Sequence, residues 1–303
     1  MSPSSPLVSI VTPAFNAARF LPDAIESVLS QDYPSIEYIV ADGGSTDGTL
    51  AILERYRGRL RYFSGRDTGP PDALHRGFLQ ARGPIFAWLN ADDVYLPGAV
   101  RTAVEFLAAH PEIDVTYGEG YWIDETGKVI RRYPTLPFDG KLLERDCFIC
   151  QPAAFFRASA YRLCSLDPGV KLSFDYDLWI RMAQRGLRFA ALPEYLACTR
   201  MHAGADTLHK RDAIFQTSMG LLRRHYGYVP LPWVFGYTAY LTDGRDQFFQ
   251  PLRPSLRVYL ASLPAGLRYN PKRRLRFLGE WASAPWKGIA RRFRVAKQPH
   301  DGA

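Results

Sequence analysis

The stretch FAWLNADDVYLPG, residues 86–98, decides how the rest of the chain is read. With Ile85 before it, five apolar or aromatic residues run from Ile85 to Leu89, as a strand buried on both faces would. The run stops on Asn90, Ala91, Asp92 and Asp93. Two adjacent carboxylates at the end of a buried strand repel each other and lose hydration. Either they form a solvated turn before the helix start at Pro97-Gly98, or something positive or hydrogen-bonding belongs there.

Outward from this strand, strand and helix patterns alternate through the N-terminal part of the chain, which predicts a mostly parallel sheet with crossover helices. Residues 7–12 (LVSIVT) and 36–41 (IEYIVA) read as buried strands, and Arg61–Ser64 as a weaker one. Leu21, Ala24, Ile25, Val28 and Leu29 mark one apolar face of a helix. Ser45 to Asp47 offer N-caps for another through Leu50, Leu53 and Tyr56. Further helices are predicted over 72–81 and 98–110. Beyond residue 115 the pattern changes to a strand with a hairpin turn at Asp124-Glu125-Thr126-Gly127, a helix over 175–186, short strands over 189–191 and 195–200, and a helix over 209–226.

Acidic residues follow three successive strands: Asp42 after the second, Asp67 after the third, Asp92 and Asp93 after the fourth. In an open α/β sheet, ligands bind beyond the carboxyl ends of the strands. Mg²⁺ or Mn²⁺ with a diphosphate would satisfy such carboxylates, since hard cations take oxygen ligands and share them with phosphates. Asp42 alone also reads as a turn residue or helix N-cap.

The chain has 303 residues, 47% of them apolar, enough for a large core. Its net charge of +8 is uneven: twelve basic residues and one acid between Arg253 and Lys297 give that segment +11 and leave the remainder at −3. Cys147 and Cys150 form a C-x-x-C with no second pair at zinc-site spacing, so the four cysteines read as buried thiols. The polar start MSPSSP is not a secretory leader, and the apolar stretch 226–242 is interrupted by Pro230 and Pro232, so no transmembrane helix is expected. These features favour a cytoplasmic location.

At this point the residues resemble a known family. VSIVTPAFNAARFLPDAIESVLSQDYPSIEYIVADGGSTDGT, DTGPPDALHRGFLQARGPIFAWLNADD, QPAAFFR and DYDLWIR together are similar to the family 2 glycosyltransferases of GT-A fold, over roughly residues 6–205. The resemblance implies a Rossmann-like, mostly parallel α/β sheet flanked by helices, assigned to residues 1–225; it does not cover 226–303, which the composition marks as an aromatic, basic and helical extension. It also implies an inverting, metal-dependent transfer of sugar from a nucleoside-diphosphate sugar, with UDP expected, to a glycan or lipid-linked acceptor.

By the same resemblance Thr12, Pro13, Phe15 and Asn16 pack on the nucleotide, Asp42 and Gly43 lie at the base, and Asp67, Asp72, Arg76 and Asn90 line the donor pocket. Asp93 is the expected ligand of Mn²⁺ or Mg²⁺ with His202, and Asp92 touches the ribose or sugar. Arg76 also reads as a solvated helix cation. Asp175 matches the catalytic base, with Asp177 as the alternative, and Phe174 stands where many relatives carry Glu. Gln151 and Arg157 match a Q-x-x-x-x-x-R segment beside the acceptor, and Trp179 reads as core or acceptor wall. His75 replaces a usual Asn near the donor sugar.

Two other functions compete. A nucleotidyltransferase would need a Gly-rich, basic loop after the first strand, and TPAFNAARF is not one. A non-catalytic, receiver-like or nucleotide-sugar-binding module is the second. The basic segment 252–297, with Leu, Trp and Phe interspersed, suggests an anionic membrane surface at the cytoplasmic face of the inner membrane, or an oligomer contact. No nucleic-acid-binding motif is present.

Overall fold

The computed structural model describes residues 5–244 and 255–284. β1 (Val8–Ala14), β2 (Ile36–Asp42), β3 (Arg61–Ser64) and β4 (Ile85–Trp88) are joined by the helices α1 (Leu21–Leu29), α2 (Thr49–Arg55) and α3 (Pro70–Gln80). The four strands pair in parallel in the order β3-β2-β1-β4. After β4 come β5 (Val94–Tyr95), α4 (Ala99–Ala109), the hairpin β6 (Val115–Ile123) and β7 (Val129–Arg132), and α5 (Gly140–Leu143). A 3₁₀ turn (Gln151–Ala153), β8 (Ala154–Arg157), α6 (Ala158–Leu163), α7 (Phe174–Gln184) and β9 (Phe189–Arg200) follow. The sheet continues from β4 through β8, β6 and β9 to β5, with β7 on β6. This is the GT-A-type α/β architecture the resemblance implied.

All seven residues of β1 are buried, as in a parallel strand covered on both faces. Below it, α1 buries Leu21, Ala24, Ile25 and Val28, the predicted apolar stripe. On the other side α3 lies so close that a Cβ on Gly77 would come within 2.4 Å of Val11 Cγ1. The amino-terminal edge of the sheet is closed by Glu37. Its carboxylate accepts from Ser9 Oγ (2.6 Å), Arg61 Nη1 (2.8 Å) and Arg82 Nε (2.7 Å). Burial pushes this carboxyl up, but the Ser9 hydroxyl and the Arg82 donors outweigh it and hold it below the usual range.

Two expectations change. The short strands predicted over 189–191 and 195–200 are one strand, β9, parallel to β6 from Val115↔Phe189 to Ile123↔Arg200. Register shifts around Glu119 absorb Pro193, which cannot donate to a ladder. The helix predicted over 209–226 starts two residues later, as α9 (Arg211–Tyr226), with the separate turn α8 (Asp206–His209) ahead of it.

The chain forms two compact units. One comprises the described residues up to Phe138 together with Phe148–Leu208; the other comprises Asp139–Cys147 and the described residues from His209 onward. The units therefore divide at Leu208/His209 and on both sides of Asp139–Cys147. The second unit is helical, with α9, α10 (Leu231–Asp243), α11 (Leu256–Tyr269) and α12 (Arg274–Ser283) around Phe215, Tyr228, Val234, Val258 and Phe277. Within the basic segment 252–297, residues 252–254 and 285–297 lie outside the described residues. Among the described residues no helix is long and apolar enough to cross a membrane.

Candidate functional site

The carboxyl ends of β1 to β4 are held open by side chains that bond to neighbouring loops. Asn16 adopts a left-handed backbone (φ 49°) at the end of β1, and its side-chain oxygen accepts from Thr46 N at 2.9 Å. Ser45 Oγ accepts from Asn16 N at 2.8 Å, and Thr49 Oγ1 accepts from Ala17 N at 2.9 Å. These bonds stitch the loop after β1 to the loop after β2. They leave Phe15 65% exposed, an apolar ring displayed at the sheet's end. Thr12 and Pro13 are buried within β1, with Thr12 Oγ1 bonded to Tyr38 Oη.

Asp42 is turned inward. Its carboxylate receives the Gly44 and Ser45 N–H groups (both 3.1 Å), Ser64 Oγ (2.6 Å) and the Ser45 hydroxyl. Three of these donors reach Oδ2 and one reaches Oδ1, and the residue is 1% exposed. It orders the loop after β2. Gly43 is needed for space: a Cβ there would sit 2.7 Å from Asp67 Oδ2. Asp67 in turn accepts from Gly69 N at 2.8 Å. Asp72 forms an ion pair with Arg76 (2.9 Å) and accepts from Thr68 N, and Arg76 Nη1 donates to Arg66 O, so both tie the 66–69 loop to α3. His75 reaches Tyr161 Oη at 3.3 Å.

The acidic pair after β4 divides into an inner and an outer member. Asp93 is 1% exposed. One of its oxygens accepts from Arg200 N (3.0 Å) and the other from Asn90 Nδ2 (3.1 Å). Burial first, and then the neighbouring Asp92 charge, push its carboxyl well above the usual range. The Asp92 side chain is 31% exposed and lies 3.0 Å from His202 Nε2. His202 thus faces Asp92, and Asp93 is the buried member of the pair. Gln151 is buried, donates to Trp88 O (3.0 Å) and accepts from Asn90 (3.2 Å), so it braces Asn90 against Asp93.

Sequence reasoning missed Arg200. Its guanidinium is 3% exposed and donates to Asp92 O (2.9 Å), Glu125 O (3.2 Å) and Asp23 Oδ2 (3.0 Å), while lying 4.8 Å from the Phe20 ring centroid. His202 stacks on the same ring at 4.7 Å. A buried cation that wraps the acidic turn opposes part of its charge repulsion, by less than burial and the Asp92 charge raise the Asp93 carboxyl. The only hint in the sequence is the proximity of Arg200 to His202 at a strand end. Lys171, also missed, donates to Thr68 Oγ1 at 2.6 Å.

Trp88, the last residue of β4, brings α7 to this end of the sheet. It stacks on Trp179 (5.6 Å, 12°) and lies 6.4 Å from Phe174. Trp179 is fully buried and belongs to the core instead of an acceptor wall. Ser173 enters α7 with a left-handed backbone (φ 52°), and Asp175 follows in the helix's first turn. Burial raises the Asp175 carboxyl above its ordinary value, and the N–H groups of Tyr176 and of Asp175 itself act the other way. Asp177 is consumed by structure: it is buried and paired with Arg181 Nε at 2.7 Å. Arg157 does not reach the site. It pairs with Ile85 at the start of β4, the opposite edge of the sheet, and its guanidinium binds the carbonyls of Leu107, His110 and Ile113 at the end of α4.

Two carboxylates and an imidazole suit a hard divalent cation when phosphate oxygens complete the shell. Among the described residues no three His, Cys, Asp or Glu side chains are grouped to hold an ion unaided. The residues therefore fit an ion shared with a diphosphate better than a self-contained metal centre.

Comparison with known proteins gives a consistent result. The sequence profile described as "Glycosyl transferase family 2" matches residues 9–163. The chain is 33% identical over 219 residues to an uncharacterized glycosyltransferase of Rickettsia typhi, covering 67% of this chain and 66% of that protein, so it spans just under two thirds of that relative's length. Its structure is similar to S. aureus TarS 1–349 in complex with UDP-GlcNAc (TM-score 0.63, 15% identity, 96% of this chain and 90% of that one). It is also similar to the mannosyltransferase PcManGT of Pyrobaculum calidifontis in complex with GDP-Man and Mn²⁺ (TM-score 0.58, 17% identity, 96% and 86%).

Proposed function

The chain belongs to glycosyl transferase family 2, and on that premise we propose that its first unit moves a sugar from a nucleoside-diphosphate sugar to an acceptor hydroxyl with inversion at the anomeric carbon. The observation that carries this reading is the packing of Trp88 on α7, which puts the acidic turn after β4 and the carboxylate opening α7 at one end of the sheet. UDP is the expected nucleotide, supported by the UDP-GlcNAc complex of TarS. The GDP-Man complex of PcManGT is the reason to test guanosine beside it.

In this reading Phe15 stacks on the base, and the interlocked loops of Asn16 and Asp42 hold it in place. Asp92 and His202 would hold Mg²⁺ or Mn²⁺, with Asp93, Asn90 and Arg200 fixing the turn behind them. That ion would neutralise the charge that builds on the departing nucleoside diphosphate. Arg76 and Lys171 add positive charge along the loop that carries Asp67. Asp175 takes the proton from the acceptor hydroxyl as that oxygen attacks the anomeric carbon and the bond to the diphosphate breaks. A raised carboxyl at this position makes a stronger base. The expected acceptor is a lipid-linked glycan or polysaccharide, reached at the cytoplasmic face of an anionic membrane to which the second unit attaches.

The test is titration calorimetry of UDP, GDP and dTDP with and without Mn²⁺, on wild type, Asp92→Asn and Asp175→Asn. One nucleotide should bind with metal dependence, weaken in Asp92→Asn and keep its affinity in Asp175→Asn. Transfer should fall roughly 10²–10⁴-fold in Asp175→Asn. No nucleotide binding under either condition would overturn the donor site, and normal turnover of Asp175→Asn would remove that residue from the chemistry.

A further inference from the structure

One constellation in the first unit takes no part in the scheme above. Tyr121 on β6 and Tyr195 on β9 stack at 4.3 Å and 11°, and both rings are partly exposed. Arg132, opposite Tyr121 on β7, lies 5.5 Å from the Tyr195 ring centroid. Glu119, opposite Tyr195 on β6, is partly buried, and among the described residues no hydrogen bond to its carboxylate is formed. Burial raises this carboxyl, and Arg132 opposes the shift only by its charge. The carboxylate keeps access to solvent, so the hydroxyls of a ligand can take the place of water on it.

The position is next to the donor site. Val94, directly after the acidic turn, pairs with Cys198, which pairs with Tyr121 on its other side. Two strand spacings, about 10 Å, separate them. The Cys150 thiol feels the charges of both Asp93 and Glu119. A pyranose has an apolar C–H face and a rim of hydroxyls. The first suits a tyrosine face, and the second suits a carboxylate and a guanidinium.

We propose that Tyr121, Tyr195, Glu119 and Arg132 bind a neutral pyranose ring of the acceptor glycan, with the ring face against the tyrosines and its hydroxyls donating to Glu119. This deepens the transferase reading and rests on it for the word acceptor, while the sugar site itself is tested separately. The probes are methyl pyranosides of glucose, galactose, mannose and N-acetylglucosamine, each at about 10 mM, where weak sugar sites fill. Saturation-transfer NMR reads which of them touch the protein. Wild type should show ring-proton saturation with at least one glycoside, and Tyr195→Ala and Glu119→Gln should each weaken it at least about 10-fold.

Calorimetry of UDP and GDP on the same samples should give unchanged affinities, which also shows that the variants are folded. Glu119→Gln keeps shape and volume and covers the case in which Tyr195→Ala unfolds. If no glycoside binds, or if binding survives undiminished in both variants, the proposal is overturned. Glycoside binding with no nucleotide binding would instead sink the transferase reading and leave the sugar site standing.

Discussion

Asp175 opens a helix, where the dipole favours the carboxylate, yet burial wins and raises its carboxyl above the ordinary aspartate value. The consequence for catalysis is a shifted acid limb. In the proposed mechanism transfer needs the ionised form, so kcat/KM should fall on acidification at a pH above the usual aspartate range, and this limb should vanish with the residual activity of Asp175→Asn. A pH–rate profile checks it; a limb at or below the ordinary range would mean that Asp175 is not the titrating base. Stability runs the other way. A folded-state pKa above the unfolded one gives stability that is present below the unfolded value and lost as pH rises through the folded one. Asp175→Asn should therefore melt higher than wild type near neutral pH, with the difference shrinking on acidification. Much at this scale was legible. The acidic turn announces itself because two carboxylates end an apolar run, whereas Asp175 is singled out only by the resemblance of DYDLWIR to the family. Which member of the pair faces outward was not legible, because it depends on Arg200 and Asn90 reaching Asp93 from distant strands. Arg157 misled because no local pattern says which end of an antiparallel strand reaches the site.

The contact between α3 and β1 sets how the loop carrying Asp67, Asp72 and Arg76 meets the sheet. Gly77 makes it possible, with Val11 Cγ1 2.4 Å from where a Cβ would be. Two effects of Gly77→Ala oppose each other. Helix propensity favours Ala by up to about 1 kcal/mol. Overpacking against a buried β-branched side chain costs about 1–3 kcal/mol. The strand is central and fully buried, so it cannot yield, and the net effect should be a loss of stability in urea denaturation together with weaker nucleotide binding. Unchanged stability would mean that the helix slides without cost. The parallel core of the sheet was readable because buried strands and amphipathic helices carry their own periodicity. β9 was not: Pro193 looks like a break, and only pairing with a β6 that shifts register lets one strand run through it. The short α8 ahead of α9 likewise leaves no mark in hydrophobic spacing.

At the scale of the whole molecule, charge is segregated: the segment from Arg253 to Lys297 carries +11 while the rest of the chain carries −3. In the second unit the apolar faces of α11 and α12 meet each other, with Gly266 giving way to the Phe277 ring. Their outer surfaces expose Leu256, Leu260 and Leu275 among Arg257, Lys272, Arg273 and Arg274. The single acid there, Glu280, is turned inward to Arg145 and to the Tyr228 hydroxyl, so it does not offset that basic surface. Exposed leucines among cations that form no ion pair among the described residues suit the headgroup region of an anionic bilayer, where each basic residue contributes about 1 kcal/mol and apolar insertion adds to it. Full-length protein should co-sediment with phosphatidylglycerol vesicles and not with phosphatidylcholine vesicles. Salt should weaken the binding as screening shortens the reach of the charges. Replacing Leu256, Leu260 and Leu275 with Ser should weaken it further without affecting nucleotide binding, because no core contact is lost. Equal sedimentation with neutral and anionic vesicles, or a leucine variant that binds as well as wild type, would show that this surface serves a protein contact instead, and the acceptor would then have to reach the first unit without a membrane.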